Sequence, residues 1–148
     1  MISTLEKALR LAILKHSGQL DKSGLPYISH PIFVSLNVET EDQKIVALLH
    51  DVLEDTDTIE KELLDIGITE EQLEAIKLLT RTKEDSYMKY VKRAAENKIA
   101  RAVKKADLMH NMELERLPEI TQEDIKRQKK YKKALDYILE KEKEEENG

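Results

Sequence analysis

Apolar positions recur with a helical period along almost the whole chain. Ser3 followed by Glu6 makes a capping box, and Leu5, Ala8, Leu11 and Ala12 then fall on one face, predicting a first helix that stops near Gly18. The stretch "SGQLDKSGLPY" reads as a loop, broken by Gly18, Gly24 and Pro26. Pro31 stands where a helix start tolerates proline, and "PIFVSLNV" continues from it. A helix is expected from Glu41 to about Leu53, another opening at Asp57 with Glu60 and ending at Gly67, and a third from Thr69 with Gln72 to about Leu79. Asp85 or Ser86 opens "YMKYVKRAAEN". A long helix, "KIARAVKKADLMHNMELERL", should end before Pro118, and a last one runs from Thr121 to about Lys141. No strand-like alternation, internal repeat or dividing linker interrupts this series. The pattern predicts a single all-α domain over residues 1–141, a bundle of about seven or eight helices, followed by a charged, frayed tail at 142–148.

Composition narrows the picture. Only 4 Gly and 3 Pro occur in 148 residues, and aromatics make up 4 %, so the core must be built of Leu, Ile, Val and Ala. The net charge of −5 argues against a duplex nucleic-acid surface, though a few local lysines beside a metal can still hold a small anion. With no cysteine, thiolate chemistry and disulfides are excluded, which fits a cytoplasmic location. "MISTLEKALRLAILK" breaks its apolar run with Glu6, Lys7 and Arg10, so it is neither signal peptide nor membrane span.

One stretch does not fit a plain core helix. "IVALLHDVLEDT" ends a fully apolar run with His50, Asp51, Glu54 and Asp55. On a continuous helix His50 would stack with Glu54, and Asp51 with Asp55, as two neighbouring columns. Ionisable groups at the rim of a core are costly unless compensated, and a divalent cation is a compensating partner for imidazole and carboxylate. The chain holds four histidines, and one of them, His30, precedes Pro31 at a helix start. Asp107 interrupts the inward face of "IARAVKKADLMHNM", with Asn111 four residues on.

The order His30, His50-Asp51, Asp107 resembles the H…HD…D signature of the HD-domain metal-dependent phosphohydrolases. "HSGQLDKSGLPYISHP", "ALLHDVLEDT" and "VKKADLMHN" are similar to the hydrolase domain of RelA/SpoT-type guanosine polyphosphate (ppGpp) 3′-pyrophosphohydrolases and the small stand-alone alarmone hydrolases. The resemblance runs from His16 to Asn111, and the chain is too short to hold the synthetase domain as well. It implies that His30, His50, Asp51 and Asp107 bind one metal, Mn²⁺ in this branch, and that Glu54 and Asp55 orient the attacking water and move its proton. It also implies substrate contacts from Asn111 and Lys22. Asp21 stands where the alarmone hydrolases carry an Arg that helps hold the guanine, and a carboxylate cannot stack as a guanidinium does.

Around that set, His16 is expected to steady the loop or touch substrate, and Tyr27 to pack the loop or meet a ligand. His110, rotated away from Asp107 on its helix, reads as structural or as a support behind the ligands. Arg81, Lys83, one of Lys104 and Lys105, and the pair Arg127 and Tyr131 are further cleft candidates. The implied activity is hydrolysis of a nucleotide pyrophosphate. The alternatives are another phosphomonoesterase or pyrophosphohydrolase on the same scaffold, or a non-catalytic metal or nucleotide sensor.

Overall fold

The computed structural model describes residues 1–114 and 121–147. Within them the backbone forms nine helical segments. These are α1 (Thr4–Lys15), α2 (Ser29–Leu36), α3 (Glu41–Leu49), α4 (Val52–Asp55), α5 (Glu60–Asp65), α6 (Glu70–Leu78), α7 (Tyr87–Ala95), α8 (Lys98–Leu114) and α9 (Gln122–Asn147). Since α4 is a single turn, eight helices are longer than one turn, and no strand occurs among the described residues. The all-α expectation is met.

Most helix starts are chemical. Ser3 Oγ accepts the Glu6 N–H, and Thr40 with Gln43 and Thr69 with Gln72 form full capping boxes. The helix expected from Asp57 starts instead at Glu60. There Glu62 reaches back to the Ile59 N–H, while Asp57 pairs with Lys15 of α1 at 3.0 Å. Gly67 closes α5 at φ +97°, a left-handed conformation that disfavours any Cβ.

Helix α3 lies at the centre, against α1, α2, α6 and α8. That position explains why Ile45 to Leu49 are all buried in an unbroken run rather than on one stripe. A smaller apolar cluster (Tyr90, Val91, Ala95, Leu108, Ala134 and Ile138) joins α7, α8 and α9.

The helix expected to run unbroken from Glu41 to Leu53 stops at Leu49. The His50 ring nitrogen Nδ1 takes the Ala47 carbonyl at 2.6 Å, and the His50 N–H approaches the same oxygen at 3.5 Å. Asp51 then adopts φ −109°, ψ −3°, and the chain restarts as α4. The ionisable quartet therefore sits on a break.

The tail also departs from expectation. α9 continues to Asn147, because Glu142 pairs with Lys105 at 2.9 Å and Glu145 takes the buried Arg101. Those partners lie on α8, far away in sequence, so local composition alone points to fraying. No described helix is long and apolar enough to cross a membrane.

Candidate metal centre

Three elements bring the ligand candidates together. The first turn of α2 supplies His30, the α3–α4 break supplies His50 and Asp51, and α8 supplies Asp107. Among the described residues, His30, His50 and Asp107 offer donor atoms all within 4.8 Å of one another, and all three are buried. His30 Nε2 lies 2.8 Å from Asp107 Oδ1, and His50 Nε2 lies 3.5 Å from the same oxygen. Asp51 joins from the side, its Oδ2 being 3.0 Å from His50 Nε2.

The tautomers decide what this cluster can hold. With Nδ1 donating to Ala47, a neutral His50 presents the Nε2 lone pair to two carboxylates, and that buried atom has no hydrogen-bond partner. Two carboxylates and a lone pair aimed at one point repel unless a cation lies between them. A proton is one such cation. Burial works against a charged His50, but Asp51 and Asp107 outweigh it and hold the ring's pKa well above the usual histidine value. A divalent ion is the other, and a set of two imidazoles and two carboxylates suits it. These residues thus fit a metal.

Supporting groups orient the set. His30 Nδ1 lies 2.7 Å from His110 Nδ1, and the two rings meet edge to edge, nearly coplanar, with centroids 5.0 Å apart and planes at 7°. Phe33 stacks on a face of His110 at 3.9 Å. With Nδ1–H given to His110, His30 keeps Nε2 free as a donor atom. His110, read from the sequence as structural or supporting, is thus the partner that orients a candidate ligand; its three-residue spacing from Asp107 places both on one side of α8. Lys104 is buried with its ammonium 2.9 Å from Asp107 Oδ2. Burial opposes its charge, but Asp107 and the Tyr90 and Tyr87 phenols hold it cationic. For Asp107 too, burial opposes charge, and Lys104 ahead of His30 and His50 keeps the carboxyl well below its usual range. Asn111 Nδ2 donates to Asp107 Oδ1 at 3.2 Å, as its spacing predicted.

The water-side carboxylates separate. Glu54 lines the cleft, with Oε1 accepting the Arg81 N–H at 2.6 Å. Asp55 stays one turn from Asp51 through its N–H to the Asp51 carbonyl at 2.9 Å. Burial, then the Asp51 and Glu54 charges, push its carboxyl up to about 6. The Asp51–Asp55 pairing expected of a regular helix is thus kept across the break, while Glu54 is taken by the Arg81 N–H.

The loop residues divide likewise. Tyr27 donates its hydroxyl to Asp51 and so touches the cluster directly. Burial and then Asp51 raise its pKa, keeping that proton in place. His16 lies beneath it, rings 5.1 Å apart, with Nδ1 bonded to Gln19 Oε1 at 2.9 Å; Gln19 in turn holds the Asp55 carbonyl. His16 thus braces the loop. Lys22 is exposed and does not line the cleft; its charge acts on Asp124 of α9. The Asp21 carboxylate accepts the Ser23 and Leu25 N–H groups at 2.8 and 3.0 Å, so it is spent on folding the loop.

The cleft is a cavity of about 180 Å³ into which His30, Asp51, Glu54, Asp107 and Asn111 open. A larger cavity, about 910 Å³, is lined by Phe33 and His110 together with Arg101, Lys105, Glu142 and Glu145, and includes none of His30, His50, Asp51 and Asp107.

No family model matches the chain. It is 46 % identical over 79 residues to a guanosine-3′,5′-bis(diphosphate) 3′-pyrophosphohydrolase of Borreliella burgdorferi, covering 51 % of this chain and 12 % of that protein. It is 32 % identical over 148 positions to a GTP pyrophosphokinase of Streptomyces antibioticus, covering 90 % of this chain and 16 % of that protein. A solved structure described as a metazoan ortholog of SpoT that hydrolyzes ppGpp superposes with a TM-score of 0.76 at 24 % identity, over 94 % of this chain and 86 % of that one. The chain is an HD-domain relative of the RelA/SpoT proteins. It spans between 12 % and 16 % of the length of the two curated relatives named. In this RelA/SpoT-like domain the buried cluster and the Glu54 carboxylate share one cleft.

Proposed function

We propose that the chain is a metal-dependent phosphohydrolase that removes the 3′-pyrophosphate of a guanosine polyphosphate, converting ppGpp to GDP and pyrophosphate. The observation that carries this is the buried His30–His50–Asp107 group with the orphaned His50 Nε2 aimed at two carboxylates. His30, His50, Asp51 and Asp107 would hold the metal, with Mn²⁺ the proposed ion. When bound, it supplies Lewis acidity, polarising a phosphoryl oxygen and acidifying a water.

The chain's own groups do the rest. Tyr27 and Lys104 fix the Asp51 and Asp107 carboxylates from opposite sides, and His110 fixes the His30 tautomer. Glu54, held by the Arg81 N–H, takes a proton from the attacking water. Asp55, raised to about 6, exchanges that proton at neutral pH. Asn111 faces the cleft beside Asp107 and offers its amide to the substrate. Tyr27 contributes one wall of the substrate pocket, and the protein works in the cytoplasm.

A second reading keeps the chemistry and changes the base. Asp21 is tied into its own loop, which removes a stacking cation from the guanine position and favours a related nucleotide. A panel of guanosine and adenosine 3′-pyrophosphates, with products identified, tests both. Pyrophosphate released from ppGpp supports the first reading; release from the adenosine compound alone supports the second. Absence of turnover in every case refutes both.

A further inference from the structure

The turn that carries Glu54 cannot hold itself. α4 is four residues long, and forming a single helical turn fixes more dihedral angles than its few bonds repay. It is closed by the Asp55 N–H to the Asp51 carbonyl and by the Thr56 hydroxyl to the Val52 carbonyl. The carbonyls at the end of a helix need partners from elsewhere. For Asp55 the partner comes from the loop after α1, where Gln19 Nε2 donates to the Asp55 carbonyl oxygen at 3.0 Å.

Gln19 is itself held in one orientation. Its Oε1 can only accept, so His16 Nδ1, 2.9 Å away, carries a proton and donates to it. Turning the amide over would set Oε1 against the Asp55 carbonyl oxygen, acceptor against acceptor. His16 is buried in the loop, so the alignment is built in from below. The main chain of Gln19 serves the other half of the site. Its carbonyl accepts the Tyr27 N–H at 2.8 Å, and the Tyr27 hydroxyl goes to Asp51. One residue therefore reaches both halves by separable groups: the main chain toward the metal ligands, the side chain toward the Glu54 turn. From the far side the Arg81 N–H holds the Glu54 carboxylate, so the turn is pinned from two loops.

We propose that Gln19, aligned by His16, is a positioning residue that fixes the α4 turn and with it the Glu54 carboxylate at the attacking water. The inference rests on the phosphohydrolase reading and deepens it. Gln19 does not line the cleft, so it acts through the turn and not on substrate. Loss of its side-chain donor lets the turn drift while the Tyr27 contact, made by main-chain atoms, persists. The effect falls on kcat, with KM and Mn²⁺ affinity kept.

The test measures ppGpp turnover by the Mn²⁺-loaded full chain as wild type, Gln19→Leu and Gln19→Glu, each also in a Glu54→Gln background and checked by thermal unfolding. Both substitutions remove the donor to Asp55, and Gln19→Glu keeps the acceptor for His16. Each should lower kcat about tenfold, with KM and calorimetric Mn²⁺ affinity within about twofold of wild type. In the Glu54→Gln background the same changes should cost less than about twofold, because the carboxylate they place is gone. An equal tenfold loss in both backgrounds, a loss confined to KM or Mn²⁺ affinity, or no loss at all overturns the proposal. His16→Asn keeps a donor toward Oε1 and should turn over faster than His16→Leu; equal rates overturn the role of His16. Amide hydrogen exchange needs no turnover. Exchange about tenfold faster over residues 52–58 in Gln19→Leu, with residues 41–49 unchanged, supports the anchor, and unchanged exchange overturns it. Absence of ppGpp cleavage by wild type, with exchange still accelerated in Gln19→Leu, would remove the hydrolase reading and leave the anchor standing.

Discussion

Replacing His110 by Phe isolates one contact of the metal centre. The substitution keeps an aromatic ring against Phe33, where the native centroid distance is 3.9 Å. It removes the acceptor 2.7 Å from His30 Nδ1. His30 then loses the bond that places its proton on Nδ1 and its lone pair on Nε2, the atom facing Asp107 at 2.8 Å. Loss of such a supporting hydrogen bond weakens metal affinity by about 10–100-fold, or roughly 1.4–2.7 kcal/mol. Calorimetric titration of Mn²⁺ into wild type and His110→Phe reads this directly. Thermal unfolding of the metal-free proteins serves as the control, because the preserved stack should keep their melting temperatures close. Unchanged Mn²⁺ affinity in a well-folded variant would refute the argument that His110 sets the His30 tautomer.

Other perturbations separate the remaining roles. Glu54→Gln should keep Mn²⁺ binding and lower kcat by about 10²-fold or more; loss of metal by calorimetry would assign it to the ligands instead. Asp107→Ala should abolish Mn²⁺ binding and leave Lys104 buried without its partner, lowering the melting temperature as well. The Asp55 carboxyl is raised to about 6, so the native state binds more protons than the unfolded chain between the ordinary aspartate range and that value. Metal-free stability should therefore fall as pH rises through about 4 to 6, and Asp55→Asn should flatten that part of the profile; an unchanged profile would contradict the raised carboxyl. Deleting residues 142–148 should lower the melting temperature, because Arg101 and Lys105 lose Glu145 and Glu142; an unchanged value would show that segment to be a solvated tail after all.

The sequence carried the helical architecture well because helices announce themselves locally. Ser3, Thr40, Thr69 and Ser86 mark starts by chemistry within four residues, and Gly18 and Gly67 mark ends by their positive φ. The candidate ligands were legible as an ordered pattern of rare residue types, and folding brings His30, His50 and Asp107 into one buried group that could hold a metal ion. What stayed hidden depends on contacts across the fold. The break at His50 arises from a side chain capturing the Ala47 carbonyl, which no periodicity reveals. His110 was legible as a structural or supporting residue, but which ligand it supports was not, because His30 comes to meet it from α2. Asp21 was legible as the loss of a stacking guanidinium, but not as the carboxylate that folds the loop carrying Tyr27. The acidic end of α9 looked unstructured because its basic partners lie on another helix.

The central claim is that this cluster holds a metal that serves removal of a 3′-pyrophosphate. Its most direct test is the product analysis of Mn²⁺-loaded protein incubated with ppGpp, run beside the same protein stripped by chelator and the Glu54→Gln variant. The account predicts equimolar GDP and pyrophosphate from the loaded wild type alone. Orthophosphate as the released product, or equal turnover in the metal-stripped protein, would contradict it.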